Sequence, residues 1–146
     1  GLEGDASWHA TDDRSLRAAF SLTDARVTEN SSTIPAGMPS LTGNRPAQAP
    51  PVTITAGATW TPLTKLKLDA NLHWESARFE DDQNTMRLGS AFVLDLRASY
   101  LLTETLSAFV GVDNATNADI ATAQAADGTI SYGEPKMWEV GLTYQP

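Results

Sequence analysis

Lys65-Leu66-Lys67-Leu68-Asp69-Ala70-Asn71-Leu72-His73-Trp74-Glu75 is the stretch whose reading decides the fold. Leu66, Leu68, Ala70, Leu72 and Trp74 occupy every second position, and Lys65, Lys67, Asp69, Asn71, His73 and Glu75 fill the others. On a helix these side chains would scatter around the circumference. On a strand, where successive side chains point to opposite faces, they separate completely into an apolar and a polar face.

The same alternation recurs on both sides of this stretch. Downstream, Phe92, Leu94, Leu96, Ala98 and Tyr100 oppose Val93, Asp95, Arg97 and Ser99; Leu106, Ala108, Val110 and Val112 oppose Ser107, Phe109, Gly111 and Asp113; Trp138, Val140, Leu142 and Tyr144 oppose Glu139, Gly141 and Thr143. Upstream, Ile54, Ala56, Ala58 and Trp60 oppose Thr53, Thr55, Gly57 and Thr59. Nearer the start, Leu16, Ala18, Phe20 and Leu22 oppose Arg17, Ala19, Ser21 and Thr23, and Leu2, Gly4, Ala6 and Trp8 oppose Glu3, Asp5, Ser7 and His9. The pattern predicts seven strands of about 8–12 residues. A tilted strand needs ~9–11 residues to cross a bilayer, whereas strands of soluble proteins centre on ~5–6.

The connections alternate in length. Residues 11–15, 62–64 and 103–105 are short, and residues 27–51, 77–90 and 115–135 are long. Short turns at one rim and long loops at the other are the asymmetry of outer-membrane barrels. The long segments are rich in Asn, Ser, Gly, Pro and acidic residues, a composition expected of mobile surface loops. Trp8, Trp60, Trp74, Phe92, Tyr100, Trp138 and Tyr144 lie on the apolar faces, mostly towards strand ends, as interfacial aromatic girdles require. The fold class expected is all-β: an antiparallel transmembrane β-barrel segment of about seven strands.

Composition narrows the function. No run of apolar residues is long enough for a transmembrane helix. Cysteine is absent, so disulfides, thiolate metal sites and cysteine nucleophiles drop out. A net charge of −8 argues against nucleic acid as a partner. The N-terminus carries no basic, apolar leader pattern.

Several short motifs then resemble the barrel of TonB-dependent receptors. Phe92-Val93-Leu94-Asp95-Leu96-Arg97-Ala98-Ser99-Tyr100 is similar to the family's strand with an Asp between aliphatics and a closing aromatic. Phe109-Val110-Gly111-Val112-Asp113-Asn114 followed by Ala115-Thr116-Asn117 resembles its next strand and turn. Tyr132-Gly133-Glu134-Pro135-Lys136 resembles the approach to the final strand, with Lys136 in place of the usual Arg, and Asn44-Arg45-Pro46 through Pro50 looks like the proline-containing return from an external loop. The chain departs from the pattern at its end, where Pro146 stands at the position of the expected aromatic.

The resemblance covers nearly the whole chain and implies the C-terminal part, residues 1–146, of a barrel of 22 strands. The N-terminal plug and the earlier strands would lie elsewhere in the receptor or on a second chain. It further implies TonB-coupled uptake of a scarce nutrient such as a ferric siderophore, cobalamin or a glycan, with the remaining strands, plug, TonB complex, outer-membrane lipid and a small-molecule substrate as partners. No cofactor and no enzyme activity are implied. The other reading of the residues is a soluble all-β sandwich that binds carbohydrate or protein. The two differ in whether the apolar face meets lipid or a second sheet.

Asp69, His73 and Glu75 on one strand and Asp95 and Arg97 on another form the candidate ligand-contacting set on the polar face. They equally suit the charge network of a polar barrel wall. His9 and His73 are too few for a metal site, which needs three or four close ligands. Glu80-Asp81-Asp82 is an acidic run with calcium or plain solvation as its readings. Asn30-Ser31-Ser32 matches the glycosylation sequon, without meaning in a bacterial outer-membrane protein. Asp12/Asp13 and Glu134/Glu139 are not spaced as catalytic pairs, and no nucleophile–base–orienter set or phosphate loop is visible.

Overall fold

The computed structural model describes residues 1–29 and 39–146; the Asn30-Ser31-Ser32 sequon lies outside them. The described residues form eleven strands and no helix. Seven are long: β1 (Leu2–Thr11), β2 (Arg14–Leu22), β3 (Val52–Leu63), β4 (Leu66–Glu75), β7 (Ala91–Leu101), β8 (Leu106–Asp113) and β11 (Met137–Tyr144). They make one antiparallel sheet in the order β1-β2-β3-β4-β7-β8-β11. Each long strand therefore pairs with the next along the chain, across short turns at β1–β2, β3–β4 and β7–β8 and across the long loops elsewhere.

Register follows the alternation. Ala58 stands opposite Ala70, and Ala70 opposite Leu96; Leu96 stands opposite Val112, and Val112 opposite Trp138. An apolar row thus runs unbroken from β3 to β11. A slip of one residue would throw every such side chain onto the polar face.

Two polar turns pin one rim. Asp13 closes the β1–β2 turn: its carboxylate accepts from the Thr11 hydroxyl at 2.5 Å and from Trp60 Nε1 at 3.1 Å. The Asp13 carbonyl accepts from Thr61 N–H at 2.8 Å, which ties this turn to β3. In the β7–β8 turn the Thr103 hydroxyl oxygen accepts from Thr105 N–H at 3.3 Å and Leu106 N–H at 3.1 Å, a side-chain turn of the kind Thr makes readily.

Among the described residues the sheet has no partner on its apolar face. Trp138 is 70% exposed and Val140 80%, and Trp8, Leu16, Phe20, Ile54, Trp60, Phe92 and Leu96 are exposed on the same side. The other two sheets among the described residues are two-stranded hairpins in the long loops, so nothing plays the second layer of a sandwich. The soluble-sandwich reading therefore fails on the feature that separated it from a barrel wall. The sheet is open, with β1 and β11 as its edges.

The long loops differ from the sequence expectation. Residues 76–90 contain the hairpin β5 (Arg78–Phe79) with β6 (Arg87–Leu88), and residues 114–136 contain β9 (Ala121–Gln124) with β10 (Ile130–Tyr132). Gly128, at φ +88°, lets the second of these reverse, a conformation that costs glycine nothing. The sequence expectation placed neither hairpin in these segments. The reason is local. Asp81 accepts from Thr85 N–H, the Thr85 hydroxyl and Met86 N–H, closing a turn that hydrophobic periodicity does not reveal.

Candidate functional site

The polar face of the wall is where a barrel of this design would meet a ligand or a plug. Its central row runs Ser7–Arg17–Gly57–Asn71–Asp95 across β1, β2, β3, β4 and β7. Arg17 crosses over β3 and donates to Asn71 Oδ1. A Cβ on Gly57 would stand 2.6 Å from Arg17 Nε, so the glycine makes room for the guanidinium to lie flat on the sheet. A shallow groove of about 440 Å³ lies along this row, lined by Asp5, Arg17, Thr55, Asn71, His73 and Asp95 among others.

The five candidate residues separate by what each one holds. Asp69 and Arg97 are direct cross-strand partners, yet among the described residues no ion pair joins them. Asp69 accepts from the Thr59 hydroxyl at 2.7 Å and pairs with Lys67 at 3.1 Å. Arg97 instead stacks on Phe109, its guanidinium carbon 3.6 Å from the ring centroid, a contact worth about 0.5–1 kcal/mol when exposed. Phe109 in turn covers Gly141 on the neighbouring strand, where an added Cβ would meet the ring at 2.7 Å.

Asp95 accepts from Asn114 N–H at 2.9 Å and so fixes the start of the loop at 114. Glu75 pairs with Arg78 and lies 3.9 Å from His73 Nε2. Only His73 and Asp95 of the five also line the groove. His9 stands on β1 and His73 on β4, and no group of three or more His, Cys, Asp or Glu among the described residues is arranged to hold a metal. Glu80, Asp81 and Asp82 diverge in role. Glu80 accepts from Gln48 Nε2, Asp81 closes its own turn, and Asp82 accepts from Asn44 Nδ2 at 2.9 Å through its carbonyl and from Ala47 N–H at 3.2 Å through its carboxylate.

The loop end holds polar residues that strand periodicity does not single out. Arg78 is 9% exposed and Asn114 3%. Asn114, in the left-handed region at φ +46°, donates from Nδ2 to the carbonyls of Ala118 at 2.9 Å and Glu134 at 3.1 Å, and accepts from Ala118 N–H at 2.9 Å. Its place just after an alternating strand was the available signal, since Asn tolerates that conformation. Burial acts to raise the Asp81 carboxyl, but hydrogen bonds from Met86 and Thr85 outweigh it and hold the group below its ordinary value of 3.8. The Thr129 N–H lowers Asp127 in the same way, at the β9–β10 turn.

Comparison with known proteins supplies the frame. The sequence model of the family described as "TonB dependent receptor-like, beta-barrel" matches residues 1–115. No curated protein sequence matches the chain. Among solved structures, the siderophore receptor PiuA from Acinetobacter baumannii superposes with a TM-score of 0.84 at 18% identity, covering 97% of this chain and 21% of the receptor. The ferric yersiniabactin uptake receptor FyuA from Yersinia pestis gives 0.75 at 18% identity, with 96% and 22% covered. The ferric-catecholate import receptor Fiu from E. coli K12, in its closed form, gives 0.75 at 15% identity, with 97% and 20% covered. At these identities the likeness is one of fold. The chain spans about a fifth of the length of each of these structures.

Proposed function

The chain belongs to the TonB-dependent receptor β-barrel family of the bacterial outer membrane, and from that premise we propose that it is the C-terminal wedge of a receptor that imports a scarce nutrient, a ferric siderophore first among them. The observation that carries the reading is the seven-stranded meander with its apolar face bare, in a chain whose first 115 residues match the family. Lipid covers that face. The open edges at β1 and β11 pair with the remaining strands of a 22-stranded barrel, because unpaired edges are not tolerated in hydrocarbon. A plug inside that barrel, coupled to TonB, gates the lumen. The short turns face the periplasm and the three long loops face outwards.

The siderophore preference is supported by the receptors it superposes on, named a siderophore receptor, a ferric yersiniabactin uptake receptor and a ferric-catecholate import receptor. Within the lumen, His73 and Asp95 are the candidate contacts for plug or ligand, since they line the polar groove. Asp69, Glu75 and Arg97 serve the wall and the loops through the partners described above.

The test is uptake of ⁵⁵Fe from a ferric trihydroxamate and a ferric tricatecholate by cells carrying the complete receptor, with TonB present or inactivated. Receptor-dependent and TonB-dependent uptake of either chelate supports the proposal. Uptake of cobalamin or a glycan with neither iron chelate moved keeps the receptor and overturns the siderophore assignment. A complete protein that is soluble and monomeric without detergent overturns the membrane reading as well.

A further inference from the structure

Arg78 is a buried cation that strand alternation does not account for, and its guanidinium divides among separate loops. Nε donates to Gln48 Oε1 at 2.7 Å, in the segment between β2 and β3. Nη1 donates to Glu75 at the end of β4. Nη2 donates to the Ala121 carbonyl at 3.4 Å, at the start of β9. A planar fork with fixed donor directions suits such a junction, and a point-charge lysine does not. Removing a buried cation from its anion leaves the anion unpaired in a low-dielectric setting, so the arrangement is held or lost as a set.

Gln48 completes the junction from the other side. Its N–H donates to the Phe79 carbonyl at 2.7 Å, and its side-chain Nε2 donates to Glu80 and to the Thr122 carbonyl, the latter at 3.3 Å. The residue sits at φ +57°, a left-handed conformation that non-glycine residues adopt only when surrounding contacts outweigh its cost. Here those contacts are the loop–loop hydrogen bonds themselves. Leu88, at 1% exposure, is the most buried large side chain among the described residues and lies in the β5–β6 hairpin of the same loop cluster.

We propose that residues 39–51, 76–90 and 114–136, one described stretch from each long loop, form a single clasp keyed by Arg78, which opens and closes as one unit. At the outer mouth of the barrel, a molecule that displaces one loop then displaces all three. The orientation rests on the receptor reading above; the cooperativity rests on Arg78 and Gln48 alone.

The experiment is hydrogen exchange on the complete protein in detergent micelles, following three amides, one per loop. Gln48 N–H bonds to Phe79, Glu80 N–H to the Met86 carbonyl at 2.8 Å, and Gly133 N–H to the Ile120 carbonyl at 2.8 Å. Arg78→Met is expected to speed exchange at all three by a common factor of tenfold or more, with the seven wall strands unchanged. Gln48→Asn, which tolerates the left-handed backbone but is one methylene short, is expected to give the same pattern. Arg78→Lys is expected to fall with Arg78→Met, because one ammonium cannot span three loops. Acceleration confined to residues 76–90, or full protection with Arg78→Lys, overturns the clasp. No ligand enters the readout, so failure of the siderophore assignment is detected separately in the iron-uptake assay.

Discussion

The wall and the loop cluster solve opposite problems with one polypeptide. The wall, β1 to β4 with β7, β8 and β11, carries most of the large apolar side chains and leaves them bare: Val140 is 80% exposed and Leu142 67%. The loop cluster is polar in composition, yet Leu88, Arg78 and Asn114, three of the most buried residues, lie in it. The difference teaches where each region finds its stability. The wall needs lipid on one face and further strands at its edges. The loops are stabilised by their own hydrogen bonds and a small buried cluster, so their order does not depend on the apolar solvent.

The largest effect that sharpens this contrast is a charge on the bare face. Ala58 lies near the middle of β3, opposite Ala70 on β4 and Leu16 on β2. Ala58→Arg is expected to destabilise the folded receptor in lipid vesicles by about 2–4 kcal/mol in urea titration, the cost of a cation near the bilayer midplane. Thr55→Arg, which points to the polar groove on the same strand, is expected to cost less than about 1 kcal/mol. Equal costs would erase the distinction between the faces.

Next in size is a lesion in the loops. Asn114→Ala removes four side-chain hydrogen bonds, one of them from the Thr116 hydroxyl at 3.4 Å, and places alanine at φ +46°. The expected loss is about 2–3 kcal/mol of local opening free energy, read as faster exchange of the Ala118 amide. The urea midpoint of the wall is expected to stay put; a matching fall would show that the regions are not independent.

The smallest expected effect is a pH response confined to one loop. Asp81 has its carboxyl held below 3.8 in the folded state. A depressed carboxyl contributes stability that is present above its unfolded value and is lost as pH falls through the folded one. Pepsin cleavage within residues 76–90 is therefore expected to stay slow at about pH 4 and to rise only below the ordinary carboxylate range. Asp81→Asn is expected to be cleaved readily at both. Cleavage that already rises between about pH 6 and 5 would contradict the assignment.

How much of this was legible in the sequence depends on the length of the pattern. The seven long strands were readable because eight or more alternating residues leave one register open; Lys65 to Glu75 alone separates eleven residues into two faces. The short turns account for the β1–β2, β3–β4 and β7–β8 pairings; β2–β3, β4–β7 and β8–β11 pair across long loops. The hairpins at Arg78–Phe79 with Arg87–Leu88 and at Ala121–Gln124 with Ile130–Tyr132 were not readable, since two to four residues carry no period. The candidate polar residues were placed on the polar face by parity, but their partners were not legible: Asp69 takes Thr59 and Lys67, and Arg97 takes Phe109. Arg78 escaped notice because two of its three partners lie 30 and 43 positions away in the chain. Glycines inside strands, Gly57 under Arg17 and Gly141 under Phe109 among them, were local hints of a close approach.

The central claim is that the apolar face of this sheet meets lipid, and spin labels on a complete receptor stripped of any other cysteine test it directly. Single cysteines placed in turn at residues 66–75 of the complete protein, reconstituted in vesicles and spin-labelled, report collision with oxygen in the hydrocarbon and with a water-soluble nickel chelate. The account predicts strict alternation: Leu66, Leu68, Ala70, Leu72 and Trp74 positions collide with oxygen, and the positions between them do not. Labels at those five positions that are shielded from both oxygen and nickel would mean a buried second layer, and would contradict it.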